Sequence, residues 1–191
     1  MDSSKRNLLI VLAVVVVLVI AVYGFFQSNY NSLVRLDEGV KASWAQVENQ
    51  LQRRFDLIPN LVETVKGYAK HEKEVLTEVT NARARVGQAG TVPDKIAANN
   101  ELAGALGRLL VVVEKYPDLK ANQNFLRLQD ELAGTENRIS VERRRYNEAV
   151  KEFNVKSRSF PANIVAGMFG FKQAAFFEAP AAAKATPQVK F

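Results

Sequence analysis

Apolar residues follow two different rules along this chain. From Leu8 to Phe26 they run for 19 residues without a charge. From Leu33 onward they recur at steps of three and four: Leu33, Leu36, Val40, Trp44, Val47, Leu51, Phe55, Ile58, Val62, Val65, Ala69, Leu76 and Val79. The first pattern is a helix apolar on every side, long enough to cross a hydrocarbon core of about 30 Å. The second is a single stripe on a helix face. It predicts one helix continuous from Ser28 to Val86, about 88 Å long.

Pro59 sits inside that stripe. Proline lacks the N–H that a helix interior needs and crowds the carbonyl four residues back. The stripe nevertheless keeps its phase from Leu51 through Phe55 and Ile58 to Val62 and Val65, and Ile58 is no helix cap. The pattern therefore predicts a kink that releases the Phe55 carbonyl, not a chain break. A static bend and a moving hinge both fit the residues.

Beyond Val86 the stretch Gly87–Asp94 reads as a turn, with Pro93 placed to open a second helix. That helix carries Leu102, Leu106, Leu109, Val113 and Tyr116 on one face and is expected to end at Tyr116, ahead of Pro117. A third helix carries Phe125, Leu128, Leu132, Ile139, Tyr146, Val150 and Phe153, running to about Ser159. From Phe160 to Phe177 the chain is rich in phenylalanine, including Phe160 and Phe169. This segment fits either a short fourth helix over the bundle end or an amphipathic element at a membrane interface. The last residues, 178–191, are rich in Ala, Pro and Lys and read as a disordered tail. The fold class is thus all-α: an N-terminal transmembrane helix over 8–26 behind a short flank at 1–7, then an elongated antiparallel bundle of three or four long helices over 27–177. The second helix is too short to cover the whole stripe of the first. The surface near Leu36, Val40, Trp44 and Val47 is therefore expected to need the third helix, the Phe-rich segment or a second copy of the chain.

Charge refines the membrane reading. Lys5 and Arg6 precede the apolar run, and Tyr23, Phe25, Phe26 and Tyr30 cluster at its far end as interfacial aromatics do. The run exceeds an ordinary signal-peptide core and lacks a small-residue cleavage site, so an uncleaved anchor is expected. Lys5 and Arg6 favour a cytoplasmic N-terminus, against Arg35 and Lys41 on the other flank. The expected location is the inner membrane, single-pass, with the bundle outside the cytoplasm. The chain's net charge of +6 is modest and is weak evidence for nucleic acid.

Little in the sequence carries chemistry. There is no cysteine and one histidine. His71-Glu72 lacks the second histidine of a zincin motif, since Val75 stands in its place. No catalytic residue, cofactor, metal or small-molecule substrate is expected. Arg54 and Glu72 project onto the core side of the first helix, and Glu142 onto that of the third. Buried charges need partners, so internal ion pairs, rim positions or a register lock between helices or subunits are expected there. Arg143, Arg144 and Arg145 spread around a helix and read as a solvated, ion-paired face rather than a nucleic-acid site.

The order of "RRFDLIPNLV", "YPDLKAN" and "RRYNEAV" behind an N-terminal span closely resembles the LemA family of bacterial membrane proteins, over Leu8 to Phe177. The motif positions are Arg54, Asp56, Pro59, Asn60 and Leu61; Tyr116, Pro117, Leu119, Lys120 and Asn122; and Tyr146 and Asn147. The resemblance implies a single-pass membrane protein with a long-helix bundle, no known catalytic residues and a poorly defined role. It also implies an association with membrane zinc metalloproteases at the level of gene neighbourhood. The expected function is a non-enzymatic scaffold on the lipid bilayer that binds itself or other membrane proteins. An adaptor of a membrane metalloprotease and a membrane-remodelling protein are the alternatives.

Overall fold

A computed structural model describes residues 3–178, and within residues 3–8 it describes the side chain of Asn7 alone. The tail expected over 178–191 lies outside the described residues from 179 onward, as do the side chains of Lys5 and Arg6. Every described element is helical: α1 Ser3–Tyr68, α2 Lys73–Gln88, α3 Val92–Val113, α4 Pro117–Lys120, α5 Gln123–Arg158 and α6 Ala162–Phe169.

α1 is one helix of 66 residues and passes through Pro59 without a break. The all-apolar run is its first third. From Leu9 to Val22 every side chain is exposed within the chain, and nothing polar interrupts them. A soluble environment would penalise that surface, whereas lipid would not. The chain is therefore a membrane-associated protein. α3 is also long and apolar enough to cross a membrane. It instead buries Ile96, Leu102, Ala105, Leu106, Leu109 and Val113 in the core and forms ion pairs through Lys95 and Arg108.

The chain forms two compact units. One holds the residues up to Ala42 together with Ala149–Ala174; the other holds Ser43–Glu148 and the described residues from Ala175. In the second unit the core is built from Ile58, Leu61, Val65 and Ala69 of the α1 end, Leu76, Val79 and Ala82 of α2, the α3 face, Leu119 and Phe125. Each large side chain buried there stabilises by roughly 1.5–3 kcal/mol. In the first unit, Ala162, Val165 and Ala166 give α6 its buried face, and Leu33, Val150 and Phe153 are fully covered.

Two sequence expectations are corrected. The helix read from Ser28 to Val86 ends at Tyr68. A tight turn, with Glu72 N–H donating to Ala69 O at 3.1 Å, leads into α2. Ala69 and Leu76 stand seven residues apart, two helical turns, so the stripe kept its phase across a genuine reversal. His71 is accordingly an exposed turn residue. The second helix ends at Val113, not Tyr116. Lys115 and Tyr116 turn back through bonds to Val112 O and Val113 O, and Pro117 then starts α4. The surface near Leu36, Val40, Trp44 and Val47, expected to need the third helix, the Phe-rich segment or a second copy, is covered by the chain itself: Val40, Trp44 and Val47 are buried and Leu36 is half-buried, with Trp44 against Tyr146 of α5 and Phe177. The start of α3 follows its sequence signal: Thr91 caps it, its hydroxyl accepting from Asp94 N–H at 3.3 Å, with proline in the first turn.

Candidate functional site

The residues singled out in the sequence gather into three arrangements in the second unit. The first centres on Arg54, which α1 places on its core side. Its side chain is 4% exposed. One terminal nitrogen donates to Glu136 on α5 at 2.8 Å, and the other to the side-chain oxygen of Asn99 on α3 at 2.9 Å and to its carbonyl at 3.2 Å. One guanidinium thus ties three helices. Burial pulls the Arg54 pKa down and the Glu136 carboxylate pushes it back, leaving a cation that a neutral core would not hold. Its Nε has no partner. Asn99 itself is braced by donating to Lys95 O.

The second arrangement answers the proline. Pro59 leaves the Phe55 carbonyl without its helical donor, and Arg83 of α2 supplies one: Nε donates to Phe55 O at 3.2 Å. The same guanidinium lies over the Phe55 ring, 3.9 Å from its centroid. The hole in α1 is therefore plugged by the helix that folds back onto it. Asp56, Pro59 and Asn60 are exposed around this point. Asp56 accepts from Gln52, and the Asn60 carbonyl from Thr64.

The third is an aromatic clamp on the C-terminal segment. Trp44 of α1 is buried with its ring edge-on to Tyr146 of α5 at 5.3 Å and tilted toward Phe177 at 6.4 Å. The Tyr146 hydroxyl donates to Ala175 O at 2.8 Å, and burial raises its pKa. The Asn147 side chain grips Phe177 from both sides, donating to its carbonyl at 3.0 Å and accepting from its N–H at 2.8 Å. In the first unit, Asn154 grips Ala174 in the same two-handed way. Asn154 was missed in the sequence; it stands seven residues after Asn147 on the same helix face, which is the signal that was available.

The remaining positions are peripheral. The Tyr116 hydroxyl donates to Glu72 at 3.0 Å, and this bond raises the tyrosine's pKa. Pro117 is exposed. Glu142 accepts from Arg145 within α5 at 2.8 Å, its side chain 17% exposed. In the first unit, Tyr23 is exposed on the anchor, Phe26 is half-buried, and Phe169 touches Tyr30 while Phe160 projects outward. An open groove of about 1300 Å³ runs between α2 and α3. It is crossed by the ion pairs Arg85–Glu101, at 2.6 Å, and Arg108–Glu78. Among the described residues, no group of three or more His, Asp or Glu side chains is placed to hold a metal ion.

Comparison with known proteins gives one family and several relatives. The LemA family profile matches residues 43–191. The chain is 26% identical over 195 residues to magnetosome protein MamQ 2 of Paramagnetospirillum magneticum, covering 87% of this chain and 72% of that one. It is 25% identical over 199 residues to MamQ of Magnetospirillum gryphiswaldense, with 90% and 73% covered. It is 26% identical over 167 residues to protein LemA of Metamycoplasma hominis, with 85% and 75% covered.

Proposed function

Because the chain belongs to the LemA family, we propose that it is a membrane-anchored, non-enzymatic scaffold whose work is binding proteins, other copies of itself included. The observation that supports this reading most is the continuity of α1. One helix carries the apolar span and continues without a break through Trp44, Arg54 and Phe55, so the anchor and the bundle share a single element. Buried and half-buried polar groups support the same reading: Arg54, Asn99, Asn147 and Tyr146 spend bonds on holding helices and the C-terminal segment. In this reading the chain crosses the inner membrane once, with the bundle outside the cytoplasm, as Lys5 and Arg6 favour.

The test uses surface that the bundle leaves open. Val111 on α3 and Leu126 on α5 are exposed apolar residues. A photo-crosslinking amino acid at each, irradiated in living cells, should give discrete protein adducts, with self-adducts marking homo-oligomers. Adducts to a membrane protease would turn the scaffold into an adaptor. Absence of any adduct at both positions, together with ligand-dependent turnover by the purified chain, would overturn the proposal. Side of membrane is read separately: the chain has no cysteine, so Ser140→Cys should react with an impermeant maleimide added outside the inner membrane.

A further inference from the structure

We infer that α6 is a second lipid contact, lying in the interfacial layer of the same leaflet that the end of the α1 anchor reaches; this rests on the anchor reading above. All of the residues concerned lie in the first unit. α6 turns Ala162, Val165 and Ala166 inward, but its other apolar side chains face out. Phe160 in the turn before it is 81% exposed, Met168 is 67% exposed, and Ile164 lies between them at intervals of four residues. A bundle that needed only a lid would have polar residues there.

The height of this face is set by ring contacts. Phe169 lies 4.7 Å from Tyr30 and Phe171 5.9 Å from it, centroid to centroid. Tyr30 follows the last residue of the apolar run, Phe26, by four positions, about 6 Å of helix rise. The face therefore sits at the level of the chain's own aromatic belt, where rings and amphipathic helices settle between headgroups and acyl chains. Gly170, with φ 75°, stops the helix, and Phe171 N–H closes it by donating to Ala166 O at 3.0 Å. Charge agrees with an anionic leaflet. From Phe153 to Ala174 the chain has Lys156, Arg158 and Lys172 and no Asp or Glu. In sequence, Lys156 and Arg158 precede α6 and Lys172 follows it, cations that suit an anionic surface.

The absence of native cysteine allows a clean test on the full chain. Phe160→Cys and Met168→Cys each carry a nitroxide in vesicles of mixed zwitterionic and anionic phospholipid. Val16→Cys reports the anchor. Ala42→Cys, about 24 Å further along α1 than Phe26, reports water. The expected result is that collision with oxygen exceeds collision with an aqueous nickel chelate several-fold at 160 and 168 relative to 42, while staying below position 16. A ratio equal to that at 42 would overturn the inference in favour of an aqueous face. Low collision with both reagents would also overturn it, showing a protein cover such as a second copy. Failure at position 16 would instead sink the anchor reading itself.

Discussion

The first third of α1 and its last two-thirds are made of similar apolar residues and bury them in opposite ways. From Leu9 to Val22 all side chains face outward. From Leu33 to Ala69 one stripe faces inward, and Leu33, Val47, Ile58, Leu61 and Val65 are fully covered. The difference lies in what surrounds the helix. In the first stretch the solvent for the side chains is lipid, so no face needs polar residues. In the second, other parts of the chain cover one face and water wets the rest, so charges return at helical spacing. Hydrophobicity alone does not define a core; the distribution of the charges between the apolar residues does.

That comparison can be broken with one substitution in each stretch. Val16→Asp should cost about 3 kcal/mol of insertion free energy. It should shift the chain out of the alkali-resistant membrane fraction and leave the bundle's thermal melt unchanged. Val65→Asp places an unpaired carboxyl among Leu61, Val79 and Leu109 and should cost about 3–5 kcal/mol of stability. Its effect would appear in denaturant unfolding, with the membrane fraction unchanged. If either variant moved both readouts equally, the two stretches would not be independent.

Arg54 sharpens the contrast, because among the described residues it is the one charged side chain that is buried. Arg54→Ala should lower unfolding stability by about 2–4 kcal/mol, since it leaves a void and an unpaired Asn99 side-chain oxygen. Arg54→Met fills the void without a cation and should recover more than half of that loss. A Met variant as unstable as Ala would mean that the ion pair, not the volume, carries the site.

The smallest effect concerns Pro59. Arg83→Met should destabilise the parent chain through the lost bond to Phe55 O. With Pro59→Ala, the restored N–H satisfies that carbonyl. The cost of Arg83→Met should then shrink by about 1 kcal/mol. A double-mutant cycle by urea unfolding in micelles reads this coupling, and additivity would remove the plug from the account.

Much of this organisation is legible in the sequence. The anchor shows in an uncharged run, the start of α3 in Thr91 and Pro93, and α5 in its apolar spacing. The reversal between α1 and α2 was hidden because Ala69 and Leu76 are two turns apart and a periodic pattern cannot register a turn that preserves its phase. Five polar residues in a row, Lys70 to Glu74, were the trace it left. The burial of Arg54 was legible from its position on the stripe, but its partners were not. Asn99 and Glu136 lie 45 and 82 residues away. The two-handed grips of Asn147 and Asn154 were equally hidden, since a carboxamide that will bind a peptide looks in sequence like any solvated asparagine.

An apolar stripe is a poor ruler: slide two helices by one turn, about 5.4 Å, and one leucine replaces another at little cost. The missing N–H at Pro59 occurs at one height only. A guanidinium aimed at the carbonyl that it exposes has no alternative mate a turn above or below. The proline works as a notch and Arg83 as its key, so a residue usually regarded as a defect in a helix becomes the mark by which the hairpin finds its register.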